Sequence, residues 1–115
     1  MRNRRIIALV PAYNPNSGEL AATIGSLLRQ TIAVDLCVID DGSARPVAPM
    51  LPADERVHVI RLDRNGGITK ALCAGVAYGL ENGYEFMCRL DVGDIPSNKL
   101  RSNPFLCASP VLAFL

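Results

Sequence analysis

Short apolar runs alternate with stretches of helical periodicity along this chain, and no other feature of the sequence restricts the fold as much. The runs RIIALV, VDLCVID, RVHVIRL and YEFMCRL are rich in β-branched and other apolar residues, and turn residues or helical stretches separate them. Apolar runs of this length are typical of parallel strands buried on both faces. The alternation therefore predicts an α/β fold with a mostly parallel sheet and helices on both faces.

Two segments have the periodicity of amphipathic helices. The first begins after Asn16 or Ser17, either of which can cap it, and the second ends at Gly83. The proline-rich stretch between the second and third runs leaves room for at most one short helical turn, and Pro11 is expected to end the first strand. The residues expected on the buried helix faces are Leu20, Ile24, Leu27 and Leu28 in the first helix, and Ile68, Ala71, Leu72, Gly75, Val76 and Leu80 in the second.

Charge and cysteine content exclude several classes of protein. Twelve Lys and Arg residues against eleven Asp and Glu leave a formal charge of +1, so we expect no nucleic-acid partner. The first apolar run is too short for a signal peptide or a membrane span. The four cysteines, which form no CxxC pair, are interpreted as reduced core thiols of a cytoplasmic chain: Cys37, Cys73, Cys88 and Cys107.

Polar side chains follow each predicted strand at the point where it ends. These clusters are Tyr13–Asn14, Asp40–Asp41, Asp63–Asn65 and Asp91–Asp94. In an open α/β sheet, ligands bind outside the carboxyl ends of the strands. We therefore expect the four loops to converge on one ligand-binding edge.

Several chemistries lack their sequence signature. The loop after the first strand reads PAYNPN instead of a glycine-rich GxGxxG, which disfavours a nicotinamide-dependent oxidoreductase. There is neither a P-loop nor a GxSxG elbow, and the sole histidine, His58, lies within a strand. The remaining pattern, an acidic edge with an aromatic residue, suits a nucleotide diphosphate with Mg²⁺ or Mn²⁺. Simpler roles stay open, because the aspartates could form turns or caps, and Gly66 and Lys70 could serve only in a turn and on a solvated helix face.

Five motifs in this order resemble the nucleotide-binding half of the family 2 glycosyltransferases of the GT-A fold. They are ALVPAYNP, SLLRQT, VIDDGS, RNGGITKALCAGV and FMCRLDVGDIP, and the resemblance covers about residues 5 to 100. It implies inverting transfer of a sugar from a nucleotide-activated donor, commonly a UDP- or dTDP-sugar, to a hydroxyl group.

The resemblance also implies roles for individual residues. Tyr13 would lie beside the base, Asp41 would form a hydrogen bond to it, and Asp40 would instead orient the turn. Asp94 would ligate Mn²⁺ or Mg²⁺ directly, and Asp91 would serve the ribose or reach the cation through water, in a motif where Gly93 replaces a usual aspartate. The complete expected nucleotide site is Pro11, Ala12, Tyr13, Asp41, Asn65, Gly66, Lys70 and Asp91.

Family members continue beyond the length of this chain, with an acceptor surface and a carboxylate that acts as general base. We expect residues 1–100 to form a nucleotide-sugar-binding region that is incomplete at its C-terminus, and residues 101–115 to form an atypical apolar tail that a protein partner covers. The catalytic residues are unknown. The alternative function is a catalytically incomplete remnant that only binds nucleotide or another protein. By resemblance, the acceptor would be a saccharide or a lipid-linked acceptor in polysaccharide synthesis, at the cytoplasmic face of the plasma membrane with peripheral membrane association.

Overall fold

Strands and helices alternate along the chain as the apolar pattern predicts. The computed structural model describes residues 6–29 and 34–92. The expected tail at 101–115, together with Asp94 and Cys107, lies outside these residues. The elements are β1 (Ile6–Ala12), α1 (Ser17–Leu28), β2 (Asp35–Asp40), a single 3₁₀ turn (Ala48–Met50), β3 (Val57–Arg61), α2 (Ile68–Glu81) and β4 (Phe86–Arg89).

The strands form one sheet in the order β3-β2-β1-β4, and every pair is parallel. The two central strands are buried along nearly their whole length, whereas β3 at the edge is only partly covered. Parallel strands place all their carboxyl ends at one edge of the sheet. The predicted α/β architecture is therefore confirmed.

The helices cover opposite faces of this sheet. Side chains alternate along β1, so Ala8 and Val10 pack in one apolar cluster with α1, while Ile7 and Leu9 pack in another with α2. Neither helix, nor any other in the described part of the chain, is long and apolar enough to cross a membrane. The prediction of helices on both faces is confirmed.

The buried face of α2 agrees with the predicted one only in part. Ala71 and Gly75 are buried as predicted, whereas Ile68 and Leu80 are 46% and 55% exposed, and Gly79, which was not predicted, is buried. A Cβ atom at Gly75 would lie 2.9 Å from Cδ1 of Ile39, so the helix backbone sits directly on the sheet. Small residues allow this close approach, which counting large apolar residues at helical spacing did not reveal.

The first strand continues through Pro11, so the prediction that this proline ends it was wrong. Pairing with β4 stops at Leu9, whose carbonyl accepts a hydrogen bond from the N–H of Leu90. Pro11 has the same orientation as Leu9 and lies past the paired part of β4, and its missing N–H therefore breaks no ladder bond.

Local signals at the helix ends are confirmed. Asn16 caps α1, because its side-chain Oδ1 accepts a hydrogen bond from the N–H of Glu19 at 3.0 Å. Gly83 follows α2 with a φ of 76°, the left-handed conformation in which helices commonly end.

The cysteine prediction holds only in part. Cys37 and Cys88 are buried, and burial raises the pKa of the Cys37 thiol to about 12. Cys73 is exposed, which corrects its placement in the core, because it lies on the face of α2 that points away from the sheet. His58 is a packed edge residue as expected, with its ring 5.7 Å from that of Tyr78.

Tyr84 ties the segment after α2 to the start of β2, at the edge opposite the polar loops. Its hydroxyl donates to Oδ2 of Asp35 at 2.5 Å, and both side chains are buried. Removing this donor in Tyr84→Phe is expected to lower the free energy of unfolding by about 1–3 kcal/mol, because a buried carboxylate loses a partner. Urea unfolding measures the change, with Tyr13→Phe, which removes an exposed hydroxyl, as control. A Tyr84→Phe chain as stable as the control would contradict the assignment.

Candidate functional site

The polar clusters lie where the sequence predicts them, at the carboxyl ends of the strands. The loops that follow β1, β2 and β3 contact one another through hydrogen bonds between residues far apart in sequence. Asp91 follows the end of β4 closely. One edge of the sheet therefore carries the described members of all four clusters.

Asp40 organises the turn after β2. It is 1% exposed, and its carboxylate accepts hydrogen bonds from the N–H of Ser43 at 2.9 Å, the N–H of Val47 at 3.1 Å and Nη1 of Arg61 at 2.6 Å. Burial opposes the charge of Asp40, but these hydrogen bonds outweigh it and hold the pKa below its usual value. The stabilisation is therefore present above about pH 4 and is lost as the pH falls.

Asp41 binds the loop that leads into α2. Its side chain is 4% exposed, and its carboxylate accepts from the N–H of Gly66 at 3.0 Å, the N–H of Gly67 at 3.1 Å and Nδ2 of Asn65 at 2.9 Å. The N-cap residue of α2 is Gly67, which has no side chain to accept a hydrogen bond from the first turn. Asp41 thus places a negative charge and an acceptor at this helix N-terminus.

Gly42 is the point where the loops after β2 and β3 come closest. Its φ is 71°, and a Cβ atom there would lie 2.4 Å from the carbonyl carbon of Arg64 and from the backbone nitrogen of Asn65. Only glycine fits both the left-handed conformation and this distance. The DDGS motif therefore supplies both the carboxylates and the glycine at which the loop after β2 contacts the backbone of the loop after β3.

Asn14 and Ser43 join the loops after β1 and β2. The N–H of Asn14 donates to Oγ of Ser43 at 2.8 Å, and the N–H of Ala44 donates to Oδ1 of Asn14 at 2.8 Å. Asn14 has a φ of 46°, a left-handed conformation that asparagine tolerates better than most residues. The sequence placed Asn14 in a polar cluster but gave it no role. The sequence signal that could have revealed a role for Asn14 is its position after a strand, next to an aromatic residue.

The residues expected around a base occupy the end of β1. Pro11 and Ala12 are buried in the strand, and the carbonyl of Ala12 accepts from the N–H of Asp41 at 2.8 Å. Tyr13 follows directly and is 54% exposed. An exposed aromatic thus stands one residue beyond the backbone contact that fixes Asp41.

An open cleft of about 520 Å³ lies beside the loop after β3. Lys70 is exposed and its aliphatic chain covers Gly66, where a Cβ atom would lie 2.7 Å from Cδ of the lysine. The cleft therefore carries two cationic side chains, those of Arg64 and Lys70, next to the loop to which Asp41 binds. Its lining residues are Leu62, Asp63, Arg64, Asn65, Gly66 and Lys70.

Asp91 lies apart from the network of Asp41. It is exposed and its carboxylate accepts from Nε of Arg89 at 3.2 Å. Asp94, the expected direct metal ligand, lies outside the described residues. Among residues 6–29 and 34–92, no three His, Cys, Asp or Glu side chains group as metal ligands. Asp91 offers a cation one exposed carboxylate.

Comparison with known proteins places this fold in a family. The family model described as Glycosyl transferase family 2 matches residues 7–97. The dTDP-rhamnosyl transferase RfbF of Shigella flexneri is 39% identical over 83 residues, which are 72% of this chain and 27% of that protein. The undecaprenyl-phosphate mannosyltransferase of Micrococcus luteus is 30% identical over 91 residues, or 76% of this chain and 37% of the relative. The chain thus spans well under half the length of these relatives.

Solved structures share the same fold at lower identity. Staphylococcus aureus TarS 1–349 in complex with UDP-GlcNAc matches with a TM-score of 0.64 and 22% identity, over 85% of this chain and 29% of that one. The mannosyltransferase PcManGT from Pyrobaculum calidifontis, in complex with GDP-Man and Mn²⁺, matches with a TM-score of 0.67 and 16% identity, over 86% of this chain and 30% of that one. With a family match along most of its length and this architecture, the chain belongs to the family 2 glycosyltransferases and has the GT-A fold.

Proposed function

We propose that this chain binds a nucleotide-diphospho-sugar donor, with a divalent metal, for inverting transfer of the sugar to a hydroxyl acceptor. The observation that carries the proposal is the joined set of loops after β1, β2 and β3. These loops hold a buried carboxylate, Asp41, whose own N–H donates to the carbonyl of Ala12 in β1, and the exposed Tyr13 directly follows Ala12.

A uracil or thymine base fits the chemistry of these two residues. The ring of Tyr13 offers a stacking surface. The Oδ1 atom of Asp41 accepts one hydrogen bond, from Gly66, whereas Oδ2 accepts two. A carboxylate has about four acceptor positions, so Asp41 retains capacity for the N3–H of the base. The relative from Shigella is named a dTDP-rhamnosyl transferase and TarS is solved with UDP-GlcNAc, which supports a UDP- or dTDP-sugar.

The cleft beside α2 suits the rest of a nucleotide. Arg64 and Lys70 supply positive charge for a diphosphate, and Asn65 and Gly66 bring polar groups close to the base and ribose. The N–H of Gly66 is bound to Asp41, so its contribution to the ligand is close approach of the backbone and not a free donor. We assign the phosphate contacts to the two cationic side chains.

The metal would lie beyond β4. We assign Asp94 as its direct ligand and Asp91 as a ligand to the ribose or, through water, to the cation. A bound Mn²⁺ or Mg²⁺ would offset the negative charge of the leaving diphosphate. The neighbour PcManGT is solved with Mn²⁺, which supports use of such a cation.

The acceptor is proposed to be a saccharide or a lipid-linked molecule in polysaccharide synthesis, and the proposed place of action is the cytoplasmic face of the membrane. The Micrococcus relative is named an undecaprenyl-phosphate mannosyltransferase, and this name supports a lipid-linked acceptor. The alternative is a module that binds nucleotide or a protein partner without transfer.

Titration of the 115-residue chain with UDP and dTDP, each with and without Mn²⁺, tests the proposal by calorimetry. We expect binding that Mn²⁺ strengthens, and Asp94→Ala should abolish that metal-dependent gain while the fold remains. Glu85→Ala is the matched control, since Glu85 is exposed and precedes β4, at the opposite edge of the sheet.

Two results would contradict parts of this proposal. A folded chain that binds neither nucleotide would exclude donor binding and leave the motifs as a record of ancestry. An Asp94→Ala chain whose binding gains as much from Mn²⁺ as that of the parent would remove Asp94 from the metal site.

A further inference from the structure

Arg61, the last residue of β3, contacts the acidic turn at two points. Its Nη1 donates to Oδ2 of Asp40 at 2.6 Å, and its Nη2 donates to the carbonyl oxygen of Ser43 at 2.9 Å. A planar guanidinium can make both contacts at once and fix the distance between them, which a lysine ammonium cannot do equally well. The edge strand is thereby joined to both ends of the turn after β2.

The turn passes this constraint on to the loop after β1. Ser43, whose carbonyl Arg61 binds, also receives the N–H of Asn14 on its Oγ, and the N–H of the next residue, Ala44, donates to Oδ1 of Asn14. Asn14 directly follows Tyr13. Hydrogen bonds therefore connect Arg61 through the turn to Asn14, the residue that follows the exposed aromatic.

The same turn connects to the loop before α2. Asp41 lies between Asp40 and Gly42, and its carboxylate binds Asn65 and the two glycines that follow. Loss of the correct turn conformation would thus displace both the aromatic loop and the loop before α2. Arg61 contacts neither loop directly in any of its hydrogen bonds.

A role in stability accounts for only part of this arrangement. The Arg61 side chain is 43% exposed, so water screens its charge, but its partner Asp40 is buried and loses one donor when the arginine is removed. Asp40 still accepts hydrogen bonds from the N–H groups of Ser43 and Val47. Removing Arg61 is therefore expected to cost some stability, and the geometry of its two contacts predicts a separate effect on the position of the loops.

We propose that Arg61 is a positioning residue for nucleotide binding, which orders the loops after β1 and β2 through Asp40 and Ser43. The binding part of this inference rests on the proposed function. When the ordered arrangement is only fractionally populated, the apparent dissociation constant rises in inverse proportion to that fraction. A fall in the ordered fraction to about one tenth would weaken nucleotide binding about tenfold.

The test compares Arg61→Met and Arg61→Lys with Arg56→Met in the 115-residue chain. Arg56 is a matched control, because it is similarly half-exposed and bound to one carboxylate, that of Asp54 at 3.0 Å, but precedes β3 at the opposite edge. The first readout is hydrogen exchange of the backbone N–H groups of Asn14 and Ala44, followed by NMR. The second is the affinity for UDP and dTDP with Mn²⁺.

We expect Arg61→Met to speed exchange at both amides and to weaken nucleotide binding about tenfold, with Arg61→Lys intermediate because it keeps the charge. Arg56→Met should change neither readout. Amides as protected in Arg61→Met as in the parent would overturn the proposal, and so would unchanged affinity in a chain that binds. A parent that binds neither nucleotide overturns the proposed function instead, and the exchange rates then still decide whether Arg61 orders the loops.

Discussion

Replacing Gly42 with alanine is expected to lower the free energy of unfolding by about 2–5 kcal/mol and to remove nucleotide binding. The left-handed φ of 71° costs a residue with a Cβ atom about 1–2 kcal/mol. The new methyl group would also lie 2.4 Å from backbone atoms of Arg64 and Asn65, and backbone cannot turn away as a flexible side chain can. Relief of that contact requires the loops after β2 and β3 to separate, at a cost of about 1–3 kcal/mol.

Gly83→Ala is the matched control for this variant. Gly83 has a nearly equal φ of 76°, but it follows α2 at the opposite edge of the sheet. We expect it to cost about 1 kcal/mol and to leave nucleotide affinity unchanged. Urea unfolding and calorimetric titration with UDP measure both variants. Equal losses of stability would show that the contact between the two loops is not as close in solution as described.

The sequence predicts the parts of this fold that depend on local pattern. Apolar runs identify the four strands, and the alternation with helices identifies the parallel sheet, because the central strands are buried between two helical layers. The cap at Asn16 and the stop at Gly83 follow from side-chain chemistry within a few residues. The position of the site also follows, since parallel strands bring their carboxyl ends to one edge.

The buried face of α2 was predictable only in part, since Ala71 and Gly75 are buried as predicted but Ile68 and Leu80 are exposed. Large apolar residues at helical spacing indicate a buried face when a helix stands at an ordinary distance from the sheet. Here the glycines Gly75 and Gly79 let the helix approach so closely that the ends of Ile39 and Met87 fill the space their side chains would take. That distance is a property of the packed layers, which a single segment does not encode.

The different roles of the two aspartates follow from alternation along β2. Asp40 shares the orientation of Leu36 and Val38, whose cluster contains Val47, and its carboxylate binds the N–H of that residue. Asp41 follows it and instead binds the loop that enters α2, on the other face. The two-residue period of a strand predicts this division between the two faces. It does not predict the hydrogen-bond partners, because they lie 7 and 26 residues away in sequence.

The same limit applies to Asn14 and Arg61. Their partners lie 29 and 21 residues away in sequence, in other loops, and no short motif joins them. A sequence pattern can place polar residues at one edge, but it does not pair them. The organisation of the site is therefore visible only once the loops are placed against each other.

Asp41→Asn is expected to lower the free energy of unfolding by about 1–3 kcal/mol and to weaken UDP binding by about tenfold or more. The carboxylate faces three donors, the N–H groups of Gly66 and Gly67 and Nδ2 of Asn65. An amide has one oxygen in place of two, so at least one of these donors would face an NH₂ group. The N-terminus of α2 would also lose the negative charge that the Asp41 carboxylate places there.

Asp63→Asn also removes one negative charge, close to the same loop, and serves as the control. Asp63 is exposed and precedes the loop that Asp41 holds, so its loss should change the free energy of unfolding by less than about 0.5 kcal/mol. Urea unfolding compares the two variants. An Asp41→Asn chain as stable as Asp63→Asn would contradict the role of Asp41 at the N-terminus of α2.

Comparing UDP with CDP separates the two functions assigned to Asp41. Uracil carries an N3–H that a carboxylate accepts, whereas the N3 of cytosine is itself an acceptor and would face the negative charge of Asp41. The parent should therefore prefer UDP, and Asp41→Asn should lose that preference because its amide can donate to cytosine. If Asp41→Asn is destabilised but still prefers UDP as strongly as the parent, Asp41 only holds the loop and the base is recognised by other groups.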